Sequence, residues 1–208
     1  MRHSIRFEER TLTPSKIVCV GRNYVEHIHE LNNEIPDEIV LFLKPNSSLT
    51  ERLFVPQEEC RFEGELVFLW EGGAIAGVGL GLDLTKIEVQ KRLKKKGLPW
   101  EKSKAFNHAA VVSEFVALPE EDLSALSLRL SINGDLRQEG GVELMMHKPA
   151  ALLEEIQTHF ALEDGDLIFS GTPKGVGFVE PGQRFVGEVL VGERSLLQVE
   201  WVAEAAGN

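Results

Sequence analysis

Apolar residues occur along this chain in short runs that predict β-strands. Residues 61–70 open with charged side chains and continue as an apolar, aromatic-rich run, which is typical of a buried strand. Residues 126–132 alternate between apolar and polar side chains, and the following Asn133-Gly134 pair predicts a hairpin turn. Further strands are predicted at residues 16–21, 39–43, 74–82 and 166–169, and in a last hairpin around residues 192–193.

Three segments have the spacing of helices, at residues 22–31, 85–96 and 149–160. The first stops at Asn32 and Asn33, and the second stops at a Gly-Leu-Pro sequence. The third has a proline in its first turn and carries its apolar side chains on one face, which predicts an amphipathic structural helix. The predicted connections are a polar segment at residues 46–62 and a loop followed by a strand at residues 100–116.

Glycines alternate at Gly77, Gly79 and Gly81 within one predicted strand. Alternation places them on one face, which indicates close approach by another backbone. A dinucleotide-binding loop is disfavoured, because the spacing lacks the final G-x-x-G and a helix start directly after it. The glycine-rich stretch at 171–177 likewise lacks the residue order of a phosphate loop, and it predicts a tight turn.

Length and composition predict one soluble globular domain over residues 1–208, with residues 1–15 as a short N-terminal extension. A formal net charge of −11 argues against nucleic acid or an anionic membrane as partner. The basic run at 91–96 is interpreted as a solvated helix face. Cys19 and Cys60 have no paired spacing and no signal peptide is apparent, so a reducing cytoplasmic location is expected.

Three carboxylates fall at predicted strand starts or ends: Glu63, Glu65 and Asp83. Glu63 and Glu65 are two residues apart, so on a strand they point the same way and repel each other. A hard divalent cation, a bound proton or basic partners could neutralise them, and two solvated glutamates are the simplest alternative. With no thiol or paired histidine nearby, the acidic set favours magnesium, with manganese or calcium as alternatives.

His27 and Glu30 are three residues apart in the first predicted helix. That spacing places them on one face, where the carboxylate can orient the imidazole and raise its basicity. The pair is therefore a candidate general base, with an ordinary surface pair as the alternative. His29 projects elsewhere on the helix and is expected to be exposed.

Taken together, the motifs of this chain resemble the fumarylacetoacetate hydrolase family, and most closely its short branch of acylpyruvate hydrolases and oxaloacetate decarboxylases. The matching motifs are Gly21-Arg22-Asn23-Tyr24 with His27 and Glu30, Leu41-Phe42-Leu43-Lys44-Pro45, Glu63-x-Glu65-Leu66, Asp83-Leu84-Thr85, Lys96-Gly97-Leu98-Pro99-Trp100, Phe106, Asn133-Gly134, Arg137-Gln138 and residues 171–177. They run in order over nearly the whole chain after residue 15.

The resemblance implies an α+β fold, a mixed and mostly β-roll arrangement with a few short helices, and a homodimer. It implies Mg²⁺ or Mn²⁺ bound by Glu63, Glu65 and Asp83, and a small β-diketo or oxo acid as substrate. The remaining implied site residues are His27 and Glu30 for activating water, Lys104 for stabilising the developing oxyanion, and Arg22, Gln90 and Thr172 for binding substrate.

Three positions depart from the family pattern. Phe62 stands where relatives have His or Tyr, and the segment 71–82 is shorter than usual. Ile87 stands where relatives have an arginine, and Lys86 is the nearest cation that could compensate.

These observations favour a metal-dependent hydrolase that cleaves a carbon–carbon bond in an acylpyruvate-like acid and releases pyruvate. One alternative is oxaloacetate decarboxylation or dienoate isomerisation by the same enolate chemistry. A further alternative is an inactive family member that acts as a binding protein, which the missing arginine at residue 87 motivates.

Overall fold

The computed structural model describes residues 2–31, 34–118 and 123–205, and its secondary structure is mostly β. The strands are β1 Ile5–Phe7, β2 Arg10–Leu12, β3 Lys16–Gly21, β4 Val40–Pro45, β5 Leu49–Thr50, β6 Phe54–Val55, β7 Cys60–Phe62, β8 Gly64–Glu71, β9 Ala74–Asp83, β10 Thr85–Lys86, β11 Ala110–Val112, β12 Val116–Ala117, β13 Leu126–Ile132, β14 Asp135–Gly141, β15 Leu167–Phe169, β16 Gly177–Phe178, β17 Arg184–Val191, β18 Arg194–Val202 and β19 Glu204–Ala205. The helices are α1 Val25–Glu30, α2 Ile87–Lys95, α3 Glu101–Lys104 and α4 Pro149–His159, with 3-10 turns at Asn46–Ser48, Leu123–Ala125 and Val142–Leu144. The predicted α+β class, mixed and mostly β, is confirmed.

A mixed sheet of eight strands forms the centre of the described residues, in the order β4-β3-β15-β8-β9-β11-β5 with β12 beside β9. Its pairs are antiparallel except for β15 with β3 and β11 with β5, which are parallel. Strands β8 and β9 form a long hairpin that turns at Gly72 and Gly73. Both glycines have positive φ, which a tight turn between the two strands favours.

Strand β8 is buried on both faces, which explains its continuous apolar run. Leu66 and Phe68 pack into a core shared with β13 and β17 of a four-stranded antiparallel sheet, β14-β13-β17-β18. Val67 and Leu69 face a second core that includes Phe169 of β15. The hairpin β1–β2 also joins this second core, so the N-terminal extension packs on the central sheet. The division into one domain plus an extension stays a prediction.

Several predicted boundaries were wrong. The segment predicted as a polar connection contains β5, β6 and β7, because Leu49, Leu53 and Cys60 are buried. Helix α3 was not predicted at all. Helix α1 begins at Val25 rather than residue 22, because Arg22 has φ 58° and the intervening residues are not helical. The predicted stop of α1 at residues 32–33 lies outside the described residues.

The glycine face of β9 is closely packed, as predicted. A Cβ at Gly77 would lie 2.9 Å from the carbonyl oxygen of Val116, and one at Gly79 would lie 3.1 Å from that of Glu114. At Gly81 the neighbour is the ring of Phe169, 2.7 Å away, so a side chain takes the place of the expected backbone. The contacts at Gly77 and Gly81 leave no room for a side chain without a shift, and the contact at Gly79 is tight but milder.

Cys19 and Cys60 are both buried free thiols, as their unpaired spacing indicated. Burial, followed by the negative charge of Asp83, raises the pKa of Cys19 and keeps its thiol protonated. None of the helices within the described ranges has the length and apolar character needed to span a bilayer.

Candidate active site

The β8–β9 hairpin brings the three predicted carboxylates together. Glu63 immediately precedes β8, Glu65 is its second residue, and Asp83 ends β9. The backbone N–H of Asp83 donates to the carbonyl oxygen of Glu63 at 2.9 Å, which fixes the two ends of the hairpin against each other. One carboxylate oxygen from each residue lies within 4.8 Å of the others. Three carboxylates that are spread over about twenty residues of sequence therefore form one acidic cluster.

Burial and mutual repulsion disfavour the simultaneous ionisation of all three carboxylates in this cluster. Burial, followed by the charges of Asp83 and Glu63, raises the pKa of Glu65 well above its usual range. Burial also opposes ionisation of Glu63, but the charges of Lys104, His27 and Arg61, together with the hydrogen bond from Lys104, outweigh burial and lower the pKa of Glu63. Glu65 Oε2 accepts a hydrogen bond from the backbone N–H of Gly171 at 2.7 Å, which orients its carboxylate.

Two buried lysines contact the cluster. Lys104 Nζ donates to Glu63 Oε2 at 2.8 Å and to Asp83 Oδ2 at 2.7 Å, and these charges raise its pKa against the effect of burial. Lys44 Nζ lies 2.7 Å from Asp83 Oδ1 and also donates to the backbone carbonyls of Leu84, Ala109 and Lys104. Asp83 is thus clamped between two ammonium groups.

Lys44 had no role assigned from sequence. The available signal is a lysine inside an apolar strand, at a position that a solvated side chain would not occupy. In the structure Lys44 is fully buried.

The predicted pair of His27 and Glu30, the candidate general base and its carboxylate partner, forms on α1. His27 Nδ1 lies 3.1 Å from Glu30 Oε2, and His27 is buried while Glu30 is partly exposed. Glu30 Oε1 in turn accepts the backbone N–H of Gly175 at 3.0 Å, so the carboxylate is fixed at both oxygens. His29 is exposed, as expected.

One small cavity of about 50 Å³ joins the two groups of residues. Its lining includes His27 from the dyad, Glu63 from the acidic cluster, and Lys104. Arg22 and Gln90, both predicted to bind substrate, line it too. The structure therefore brings the predicted base, the acidic cluster and most of the predicted binding residues to one place.

Thr172 is the predicted substrate-binding residue that does not line this cavity. Its Oγ1 donates to the carbonyl oxygen of Gly64 at 2.9 Å and accepts from Gln138 Nε2 at 2.8 Å. Gln138 Oε1 also accepts the N–H of Gly64 at 2.9 Å. Thr172 thus anchors the start of β8, and its predicted contact with substrate stays a prediction.

A larger cleft of about 1270 Å³ adjoins the small cavity and shares Arg22, Phe42, Lys94, Trp100 and Lys104 with it. Lys94 belongs to the basic run that was interpreted as a solvated face. The charged residues of that run are exposed, as predicted, and Lys94 also lines the cleft, with its Nζ 5.0 Å from the centroid of the Trp100 ring.

The acidic cluster fits a hard divalent cation. Its donors are all carboxylate oxygens, which magnesium and manganese prefer, and they converge within the spacing that a shared ion needs. Burial, followed by the negative charges of Asp83 and Glu63, raises the pKa of Glu65, and a bound cation would compensate that charge. The carboxylate oxygens that accept from Lys104 each keep a second lone pair, which can bind a cation.

Comparison with known proteins places this site in a family. Residues 16–71 and 72–201 match the model of the fumarylacetoacetate (FAA) hydrolase C-terminal family. The chain belongs to the fumarylacetoacetate hydrolase family. The resemblance inferred from the motifs is confirmed, and the match covers most of the chain.

Within the fumarylacetoacetate hydrolase family, the chain is similar to proteins named for oxaloacetate. It is 39% identical to oxaloacetate tautomerase YcgM of Escherichia coli, over 81% of this chain and 85% of the relative. It is 34% identical to the mitochondrial oxaloacetate tautomerase FMP41 of Saccharomyces cerevisiae, over 91% and 92%. It is 36% identical to the mitochondrial oxaloacetate decarboxylase of Dictyostelium discoideum, over 82% and 87%.

Solved structures confirm the predicted β-roll fold. A candidate fumarylacetoacetate isomerase/hydrolase from Oleispira antarctica superimposes with a TM-score of 0.92 at 36% identity, covering 97% of this chain and 99% of that one. A fumarylpyruvate hydrolase from Pseudomonas aeruginosa, in complex with Mn²⁺ and pyruvate, has a TM-score of 0.84 at 29% identity, covering 98% and 97%.

The departures from the family pattern have structural explanations. Phe62 points into the core, with its ring edge-on to Phe185 at 5.2 Å. Ile87 is buried at the start of α2. The Nζ of Lys86, the nearest cation to that position, pairs with Glu58 at 2.9 Å. Arg61 lies opposite Thr85 in the β7–β10 ladder, and its charge contributes to lowering the pKa of Glu63.

Proposed function

We propose that this chain is a divalent-cation-dependent enzyme that interconverts the keto and enol forms of oxaloacetate or a closely related small 2-oxo acid. The observation that carries the proposal is that His27, Glu63 and Lys104 line the same cavity. The relatives named as oxaloacetate tautomerases support the choice of substrate. The homodimer implied by the family stays a prediction.

Glu63, Glu65 and Asp83 would bind the cation, with Mg²⁺ or Mn²⁺ as the ions that suit three carboxylates. When bound, the cation supplies Lewis-acid polarisation of the substrate 2-oxo group. Lys104 Nζ, already within hydrogen-bond distance of Glu63 and Asp83, offers a further positive charge to the oxygen that becomes negative in the enolate.

His27 and Glu30 would move the proton. Glu30 accepts from Nδ1 and leaves Nε2 as the nitrogen that can take a proton from the substrate carbon. The electron pair of that C–H bond then forms the enolate double bond, and return of the proton to oxygen completes the enol. Glu30 stabilises the imidazolium between the two transfers, and Gly175 N–H holds Glu30 in place.

Hydrolysis of an acylpyruvate is the second candidate, and the similarity to a fumarylpyruvate hydrolase favours it. The dyad could instead take a proton from water, which would attack the distal carbonyl while pyruvate enolate leaves. Decarboxylation of oxaloacetate uses the same enolate and requires no base. The three reactions differ in product, so one set of assays with Mg²⁺ separates them.

The deciding experiment measures oxaloacetate tautomerisation, CO₂ release and cleavage of acetylpyruvate and fumarylpyruvate. His27→Ala is expected to lower tautomerisation about a hundredfold or more, since a positioned base contributes roughly 10²–10⁴. His29→Ala, an exposed histidine on the same helix, serves as the matched control. The assignment would change to hydrolysis if the wild-type protein cleaved acylpyruvates but did not accelerate the keto–enol interconversion of oxaloacetate.

A titration tests the metal ligands independently of activity. Glu65→Gln is expected to weaken Mg²⁺ binding at least tenfold by isothermal titration calorimetry, because it removes one of three charged ligands. Equal Mg²⁺ affinity in the wild type and the folded variant would show that the acidic cluster is not the metal site.

A further inference from the structure

Arg22 and Lys94 are two cations at the boundary between the small cavity and the larger cleft. Neither forms an ion pair with any residue in the described ranges 2–31, 34–118 and 123–205. Arg22 Nη1 donates only weakly, to the carbonyl oxygen of Glu34 at 3.4 Å. Burial at the cleft, followed by the positive charges of Arg22 and Lys104, lowers the pKa of Lys94.

The rings of Phe42 and Trp100 form an aromatic wall that runs from Lys104 to Lys94. Lys104 Nζ lies 5.0 Å from the centroid of the Phe42 ring, and Phe42 lies 6.1 Å from Trp100. Lys94 Nζ lies 5.0 Å from the centroid of the Trp100 ring. The two rings of this wall therefore lie between the ammonium of Lys94 and that of Lys104, which contacts the acidic cluster.

The acidic groups of this region are distributed differently. Asp37, Glu38 and Glu101 line the larger cleft only, and Glu63 faces the small cavity, where Lys104 pairs with it. No carboxylate lines both spaces among the described residues. The boundary itself therefore presents Arg22 and Lys94 without an anionic partner.

We infer that Arg22 and Lys94 form an anion subsite that binds the second carboxylate of a dicarboxylic 2-oxo acid. The inference rests on the proposed function, because the first carboxylate and the 2-oxo group must be the part that lies beside Glu63 and Lys104. A substrate with a neutral tail would leave the half-buried Arg22 and the more exposed Lys94 without an anionic partner, whereas a carboxylate tail could pair with both. The subsite therefore selects oxaloacetate-like dicarboxylic acids over monocarboxylic acids of the same length.

The test compares two ligands that cannot enolise and differ only at the far end, malate and 2-hydroxybutyrate. Their affinities are measured by isothermal titration calorimetry in the presence of Mg²⁺. The wild type is expected to prefer malate by about tenfold to a hundredfold, the range of a charge-assisted hydrogen bond. Lys94→Met removes the ammonium and keeps an unbranched side chain beside Trp100, and it should lower that preference about tenfold. Arg22→Met should act in the same direction.

Lys95→Met is the matched control, because Lys95 is an exposed neighbour on α2 that lines neither space, and it should leave the preference unchanged. A preference that stays within twofold of the wild type in Lys94→Met and Arg22→Met would overturn the subsite, even if oxaloacetate is turned over normally. A Lys94-dependent preference in a protein without oxaloacetate turnover would support the subsite and overturn the proposed function. The two failures are therefore distinguishable.

Discussion

At the scale of single residues, Gly175 shows how backbone geometry orients a candidate catalytic group. Its φ is 99°, and a Cβ would lie 1.9 Å from the carbonyl oxygen of Arg137. Its N–H is the donor that fixes Glu30. Gly175→Ala must shift this chain segment and misplace the His27–Glu30 pair, so we expect kcat to fall about a hundredfold.

Gly182 provides the control for this substitution. It also has positive φ, 82°, but a Cβ there would meet no atom within 4 Å. Gly182→Ala should cost about 1–3 kcal/mol of stability from backbone strain alone, with kcat within twofold of the wild type. Equal kcat losses in both variants would show that strain, rather than the position of Glu30, controls activity.

Lys44 supports the acidic cluster through its ion pair with Asp83, so its replacement should disturb the cluster. It is fully buried, pairs with Asp83, and satisfies three backbone carbonyls. Lys44→Met keeps the side-chain volume but leaves these acceptors and part of the charge of Asp83 unpaired. We expect a loss of about 2–4 kcal/mol in the free energy of unfolding, measured with urea, since one partner of a buried pair is removed.

Lys91→Met is the matched control for Lys44→Met. Lys91 is exposed and pairs with Glu88 one helical turn away, an interaction of about 0.5 kcal/mol or less. Comparable urea midpoints for the two variants would contradict the structural role given to Lys44.

At the scale of elements, predictions succeeded where the local pattern and the tertiary environment agree. The run in β8 is apolar on both faces because both faces are buried, and the carboxylates at its start are conspicuous against that pattern. Strands β5–β7 and helix α3 are short, and their form depends on neighbours distant in sequence. The position of Lys94 was missed because a helical charge run has the same pattern whether one member faces a cleft or water.

The closeness of β9 to its neighbours can be tested at Gly81. A Cβ there would lie 2.7 Å from both Phe169 and Val67, in a strand position opposite Glu65. Gly81→Ala should cost about 1–3 kcal/mol in unfolding free energy through overpacking. Because the shift occurs two residues before Asp83, Mg²⁺ affinity measured by calorimetry should fall as well.

Gly79→Ala is the comparison within the same strand. Its Cβ would meet Ser113 Oγ at 3.0 Å, a milder contact, and it is farther from Asp83. A smaller stability loss with unchanged Mg²⁺ affinity is expected. If Gly79→Ala weakened Mg²⁺ binding as much as Gly81→Ala, the local connection between Gly81 and the acidic cluster would be excluded.

At the scale of the whole molecule, the candidate site depends on segments that are far apart in sequence. Glu65 is oriented by Gly171, Glu30 by Gly175, and Asp83 by Lys44 and Lys104. Formation of the site is therefore coupled to complete folding rather than to any one element. This coupling is one reason why the sequence could predict the candidate ligands but not the side chains that support them.

Asp166 is another long-range connection, between the chain at residues 15–16 and the start of β15. Its Oδ1 accepts from the N–H groups of Ser15 and Lys16 at 2.8 and 3.0 Å, and its Oδ2 pairs with Lys16 Nζ. Burial alone would raise its pKa, but the hydrogen bonds from Lys16, Glu163 and Ser15 outweigh burial and lower it. The ionised form is therefore the one that stabilises the fold.

The pH dependence follows from the sign of that shift. With a folded pKa below the unfolded value of about 3.9, the stabilisation is fully present above that value and is lost as pH falls through the folded pKa. Asp166→Asn should therefore lower the unfolding free energy by about 2–4 kcal/mol at pH 7, and the gap to the wild type should narrow below about pH 4. Urea titrations at pH 7, 5 and 3 measure this, with the exposed Asp135→Asn as control. A gap that stays constant over this range would show that Asp166 acts through packing rather than charge.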